Sequence, residues 1–237
     1  MKILKRFLRQ ALTDLKYIFH TPSFSSLTPD YEAYWKARSN NTLNSFQQFR
    51  ADWILKHIDP KHSILDIAAG TGAMQKYFIK QGYENLIALE NSEYCIACLK
   101  DINVKVIESS IDDIEAVKAL PNSDVIILSE ILEHLPNPED TLNILKTKAN
   151  LGVIFSFPNT GYYAERLRIL FGKFPVQWRI HPGEHLRFWT HADLKNWLHC
   201  LGLSDKATIT IYEGLPVLNK LLPSLFGKAF IVHIKTN

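Results

Sequence analysis

The residues able to do chemistry gather around one stretch, Ser63-Ile-Leu-Asp-Ile-Ala-Ala-Gly-Thr-Gly72. A carboxylate, Asp66, sits among the apolar residues Ile64, Leu65 and Ile67; the small-residue turn Ala68 to Gly72 follows, and a helical pattern opens at Ala73. A buried strand ending in a glycine turn at a helix N-terminus makes a crevice that backbone can line closely. At its mouth Asp66 would offer an acceptor to the donors of a nucleotide-like ligand. An ordinary strand-turn-helix connection has the same local sequence, so the turn alone does not decide. Glu90 closes the next apolar run, Asn85 to Leu89, twenty residues beyond Gly70. A carboxylate there, followed by Asn91, suits the paired hydroxyls of a ribose in a bidentate grip.

Candidates for proton transfer lie further on. Of the nine histidines, His134 and His185 fall on expected loops on the side of the glycine turn, with His181 nearby. Histidine titrates near neutrality and can take a proton from an alcohol or phenol. With Glu184, Tyr162, Tyr163 and Trp189 they make a candidate acceptor pocket. The spacing His181-x-x-x-His185 also occurs in metal sites, but no third ligand is evident and no metal is expected.

Alternating elements must hold these residues in place. A basic amphipathic helix is expected over residues 2 to 19, then a proline- and serine-rich linker to residue 30. Apolar periodicity predicts a helix over 43 to 58, stopped by Asp59-Pro60. Strands at 63–67, 85–89, 103–107, 124–128 and 151–156 then alternate with helices at 73–81, 92–100, 113–119 and 139–148. That order implies right-handed βαβ units and a Rossmann-like, seven-stranded, mostly parallel α/β sheet with helices on both faces. Residues 157 to 189, rich in proline, glycine and aromatics around a short helix at 162–170, read as an insertion covering the acceptor. A helix at 190–201 precedes two period-two runs, 207–212 and 228–235, expected as an antiparallel C-terminal hairpin. The apolar, proline-interrupted segment 215–226 between them is a surface loop or a protein-partner contact. The organisation expected is therefore an N-terminal helix and linker over 1–30 and one domain over 31–237.

Several classes are excluded. The chain has 237 residues, 46% hydrophobic, and a net charge of +3 without a clustered basic face, so no nucleic acid is expected. Three cysteines give no disulfide framework and suggest a reducing, cytoplasmic setting; Cys95-x-x-Cys98 reads as buried helix cysteines. No run approaches the ~20 apolar residues of a membrane span. Residues 2–19 would either lie on an anionic membrane surface or cap the chain's own apolar surface. A dinucleotide fingerprint fails because Gln75 fills its third small position, and no G-K-[ST] phosphate loop exists.

The turn instead resembles D-x-G-x-G-x-G, the nucleoside-binding turn of class I S-adenosylmethionine methyltransferases, with Ala68 in place of the first glycine. Alanine is expected there with a negative φ, its methyl crowding the ligand. The resemblance covers most of residues 31 to 213. It implies S-adenosyl-L-methionine as cofactor, framed by Asp66, Ala68, Gly70 and Gly72, with Glu90 and Asn91 at the ribose. It also implies adenine bracketed by Ser109, Ser110, Ile111 and Asp112. The run Ser129-Glu130-Ile-Leu-Glu133-His134-Leu-Pro136 is similar to the family's S-E-x-L-E-H-L segment at the methionine end, where Arg38 and Tyr34 would hold the carboxylate. Phe155 to Val176 and Gly183 to Thr190 resemble the MetW and methyltransferase type 11–12-like group. The resemblance implies transfer of a methyl group to O or N of a small metabolite or of a glycan or lipid precursor. The alternative it carries is a SAM-binding regulatory partner of an acyltransferase. A nicotinamide oxidoreductase is disfavoured by Gln75.

Overall fold

In the computed structural model, which describes residues 1–22, 30–37, 42–177 and 182–236, the apolar runs become strands and the periodic stretches become helices. Seven strands form one mixed sheet in the order β3-β2-β1-β4-β5-β7-β6, six of them parallel, with an antiparallel C-terminal hairpin. They are β1 (Ile64–Ile67), β2 (Leu86–Glu90), β3 (Lys105–Glu108), β4 (Ser123–Ser129), β5 (Ala149–Pro158), β6 (Ala207–Gly214) and β7 (Gly227–Lys235). This is the Rossmann-like arrangement the sequence implies. Its parallel register sets Ile64 to Ile67 beside Leu86 to Leu89 on one side and Val125 to Leu128 on the other. All four residues of β1 are buried, as a strand covered on both faces requires.

The chain divides into two compact units. One comprises Asp30–Phe155 and His233–Asn237, and the other Met1–Pro29 and Ser156–Val232.

The first unit carries β1 to β4 with the helices α2 (Tyr31–Ala37), α3 (Ser45–Leu55), α4 (Ala73–Lys80), α5 (Glu93–Asp101), α6 (Ile114–Ala119) and α7 (Pro138–Lys148). Their starts are chemically marked. Asn44 and Gln47 form a reciprocal capping box at α3, Ser92 caps α5, and Asp113 accepts from the Glu115 and Ala116 amides at α6. Helix α2 is fastened to α5 by Glu32, which accepts from the Ser92 hydroxyl at 2.6 Å and the Tyr94 amide at 2.9 Å. Cys95 is fully buried on α5, and burial pushes its thiol up to about 12, so it is an inert core residue.

The second unit carries α1 (Lys2–Phe19), α8 (Tyr163–Leu170) and α9 (His191–Cys200), with β6 and most of β7. Its core includes Phe157, Trp189 and Phe230; the Phe157 and Trp189 rings lie 4.7 Å apart, and the half-buried Trp197 ring lies 5.2 Å from that of Trp189. Segment 215–226 is not a plain loop. It forms two single-turn helices, α10 (Leu218–Leu221) and α11 (Pro223–Phe226), entered through Val217 at φ 72°.

Helix α1 packs on α8 through polar groups. Asp14, 1% exposed, accepts from the Tyr162 hydroxyl at 2.6 Å, the Tyr163 hydroxyl at 2.9 Å and Gln10 Nε2 at 2.9 Å. Tyr17 donates its hydroxyl to Glu165. The buried Arg168 closes the end of α1, donating to the carbonyls of Tyr17, Ile18 and His20.

Candidate functional site

The parallel strands change direction of succession at β1, which lies between β2 and β4. At such a switch point the carboxyl ends of the strands open a crevice. Asp66, Glu90, Ser129 and Glu130 all stand at those ends.

Asp66 is 3% exposed and accepts from Gln75 Nε2. Burial, with the neighbouring charge of Glu90, pushes its carboxyl up to about 7, against the Gln75 hydrogen bond and Arg50, which lower it. The Gln75 Oε1 is buried with no hydrogen-bond partner among the described residues. The residue that breaks the dinucleotide spacing is thus turned inward to hold Asp66.

Ala68 departs from expectation. Its φ is +54°, not negative. The cause is the tightness of the turn: the amides of Ala68 and Ala69 both reach the Leu89 carbonyl, at 2.8 and 3.3 Å, and the Gly70 amide reaches Glu90 Oε2 at 2.7 Å. Three amides converging on the end of β2 force the chain into the left-handed region, which costs alanine about 1–2 kcal/mol. Glu130, at the end of the adjacent β4, is left-handed as well, with φ +59°. Strained backbone of this kind clusters at functional sites. Gly70 and Gly72 have φ of +60° and +75°. A Cβ on Gly70 would come within 3.0 Å of Trp35 Cη2, and one on Gly72 within 2.8 Å of Leu99 Cδ2. Trp35 therefore stands over the turn, a placement its sequence position among aromatics did not signal.

Glu90 is buried and largely committed. Its Oε2 accepts from the Gly70 amide, and its Oε1 from the amides of Asn91 and Ser92, both at 3.0 Å. A carboxylate has roughly four acceptor positions, so about one remains. Asn91 itself is exposed.

On the loop after β3, the Ser110 hydroxyl and the Asp112 carboxyl are 3.2 Å apart, and the Asp112 amide donates to Ser110 Oγ. Ile111 between them is half-buried. After β4, Glu130 pairs with Arg50 of α3 at 2.9 Å. Glu133 follows in a single 3-10 turn, Leu132–His134, and is 1% exposed. Neither of its carboxyl oxygens has a hydrogen-bond partner among the described residues. Desolvation, then the Glu130 charge, raises its carboxyl well above the ordinary value. Glu133 was given no role of its own by sequence reasoning; its only signal was its place in the S-E-x-L-E-H-L run. His134, next to it, is half-buried.

Of the residues expected at an acceptor pocket, Glu184 is buried, His185 half-buried with its ring 6.5 Å from Phe188, and Trp189 buried among aromatics. Tyr162 and Tyr163 have their hydroxyls committed to Asp14. Arg38 and His181 lie outside the described residues.

An acid-rich crevice built on a strained glycine turn at the switch point of a parallel sheet defines a nucleoside-binding α/β protein. Residues 34–207 match the family model described as a methyltransferase domain. That span is most of the chain, which therefore belongs to this family, the class I S-adenosylmethionine-dependent methyltransferases, whose cofactor is S-adenosylmethionine. Similar solved structures include a SAM-dependent methyltransferase from Archaeoglobus fulgidus, with a TM-score of 0.64 and 20% identity over 87% of this chain and 100% of that one. The plantazolicin methyltransferase BamL, solved with a triazolic desmethylPZN analogue and SAH, has a TM-score of 0.59 and 14% identity over 100% and 99% of the two chains. The magnesium protoporphyrin IX methyltransferase ChlM of Synechocystis PCC 6803, with bound SAH, scores 0.56 at 12% identity over 98% and 96%. The superpositions show a shared fold. No curated protein sequence matches the chain. None of the described helices is long and apolar enough to cross a membrane.

Proposed function

We propose that this chain transfers a methyl group from S-adenosylmethionine to an oxygen or nitrogen of a small metabolite or of a glycan or lipid precursor. The observation that carries the reading is the set of buried carboxyls at the ends of β1, β2 and β4: Asp66 and Glu133 are both raised by burial, and Glu90 keeps about one open acceptor position. In such a set acceptor oxygens outnumber the one nearby cation, Arg50, which is already paired with Glu130. The cofactor has both donors and positive charge, in its ammonium, its sulfonium and its ribose hydroxyls, so the residues fit it.

In this reading Asp66, Ala68, Gly70 and Gly72 frame the cofactor and Glu90 takes a ribose hydroxyl. Ser110, Ile111 and Asp112 border the adenine. Ser129 and Glu130 serve the methionine end together with Arg38. The cofactor when bound supplies an electrophilic methyl on sulfur, and holding the nucleophile in line with it gives most of the acceleration. His134 or His185 takes the proton that an alcohol or amine must lose. Glu184, Trp189 and His181 belong to the acceptor side. Two of the similar structures are named for small-molecule acceptors, a porphyrin and plantazolicin, which favours an acceptor of that size.

Titration calorimetry with S-adenosylhomocysteine tests the reading. Binding in the micromolar range is expected, weakened by about 1–3 kcal/mol in Glu90→Ala, where a buried hydroxyl is left without its acceptor. Because Glu90 also ties the Gly70 amide, unfolding of the ligand-free variant is measured alongside. Absence of binding to the wild type would refute the proposal.

A further inference from the structure

The two long edges of α1 are put to different uses. One edge, through Gln10, Asp14, Tyr17 and Ile18, faces α8. The other carries Leu4, Leu8, Leu12, Leu15 and Phe19, each between 53% and 61% exposed. Their spacings of four, four, three and four residues place them in one continuous stripe along an eighteen-residue helix. The stripe runs on beyond the helix. The Phe19 ring lies 5.4 Å from that of Phe171, next to Leu170 and Phe174, which are 74% and 69% exposed.

Charge is distributed along the same stripe. Lys5, Arg9 and Lys16 each follow a stripe leucine by one position, so they line one flank, and Lys2 extends it; all four are exposed. Lys173 adds a cation beside Phe171, its Nζ 2.7 Å from the Phe19 carbonyl. The helix has a single acid, Asp14, and that one is buried under the tyrosines of α8. The exposed surface of α1 therefore presents apolar and positive groups with no negative one between them. A soluble monomer rarely leaves so long an apolar stripe in water.

We propose that α1, with the end of α8, docks side-on on an anionic lipid bilayer surface. The leucine stripe would sink into the boundary between headgroups and acyl chains, and Lys2, Lys5, Arg9 and Lys16 would meet lipid phosphates. The positive flank selects this occupant: an apolar stripe meant for a second copy of the chain would bring four cations of each partner toward one another. The inference stands on the geometry of α1 and α8 and does not rest on the methyltransferase reading.

Vesicle flotation of the full chain tests it, comparing phosphatidylcholine alone with phosphatidylcholine mixed with phosphatidylglycerol. Capture by the mixed vesicles and little by the neutral ones is expected, with release at high salt. Leu8→Glu/Leu12→Glu should abolish capture. Lys5→Ala/Arg9→Ala should lower partitioning about 10- to 30-fold at about 0.15 M salt. All four positions are exposed, and far-UV circular dichroism checks that the variants fold; should the glutamate pair fail that check, the salt dependence of the wild type and the cation variant decide. No capture, equal capture by both vesicle types, or unchanged capture of the stripe variants would overturn the proposal. So would a concentration-dependent dimer, in the absence of lipid, that dissociates in Leu8→Glu/Leu12→Glu, which would assign the stripe to a second copy.

Discussion

Asp66→Asn should make the protein more stable at alkaline pH and worse at holding its cofactor. The carboxyl is held at about 7 in the folded protein against an ordinary value of 3.8. A group whose folded pKa is raised binds more protons folded than unfolded, so stability falls as pH climbs between the two values. The penalty is absent below the unfolded pKa, grows by about 1.4 kcal/mol per pH unit, and is complete above the folded one. A rise of about 3 units sets an upper bound of about 4 kcal/mol. The substitution keeps the side-chain shape and removes the ionisation. Its carboxamide can accept from Gln75 Nε2 as the carboxyl does. It also brings an N–H that could satisfy Gln75 Oε1, now buried without a partner among the described residues.

Chemical denaturation followed by tryptophan fluorescence, at about pH 5 and about pH 8, reads the effect. The variant is expected to gain about 3–4 kcal/mol at the higher pH and about 1–2 kcal/mol at the lower. His191 and His233 are lowered by burial, so their contribution has the opposite sign, rising as pH climbs. Glu165, raised to about 7, has the same sign as Asp66. Each is common to wild type and variant, and taking the difference between the two proteins at each pH cancels them. The same variant should bind S-adenosylhomocysteine more weakly, since a buried acceptor becomes in part a donor. A stability difference that is equal at both pH values would refute the assignment of the charge penalty to Asp66.

Two further outcomes follow from the backbone and from the α1–α8 contact. Ala68→Gly should stabilise by about 0.5–1 kcal/mol in the same denaturation assay, because relief of about 1–2 kcal/mol of left-handed strain exceeds the extra unfolded-state entropy of about 0.4–1 kcal/mol; a loss of stability would contradict the strain argument. Asp14→Ala leaves the hydroxyls of Tyr162 and Tyr163 without their acceptor and should cost about 2–3 kcal/mol, with Asp14→Asn costing less because one acceptor oxygen survives. Limited proteolysis within α1 should track that loss, and equal protease resistance of wild type and alanine variant would show that the aspartate does not hold the helix.

What could be read from the sequence depended on how far apart the interacting residues lie. Local periodicity gave the parallel sheet, because Ile64, Leu65 and Ile67 around Asp66, and Val125 to Leu128, put apolar residues on both faces and only a central strand buries both. The glycine turn and Glu90 were legible for a similar reason: the spacing of twenty residues is one βα unit, and the fold returns it to a direct contact, Gly70 amide to Glu90. The φ of Ala68 was not legible. Residue type argued for a negative angle, and what overrides it is the convergence of three amides on the end of β2, a tertiary constraint. The role of Tyr162 and Tyr163 was hidden more deeply. Aromatics in an irregular segment suggest a ligand pocket, but their partner is a lone aspartate 148 and 149 residues away on a helix whose other charges are cationic. That aspartate also bears on the two options for α1, membrane surface or own surface, because it marks the edge of the helix that packs on the protein itself. Asp14 withdraws the only negative charge of the helix to one edge, so fastening α1 to α8 is what leaves the leucine stripe and its cations together in the open.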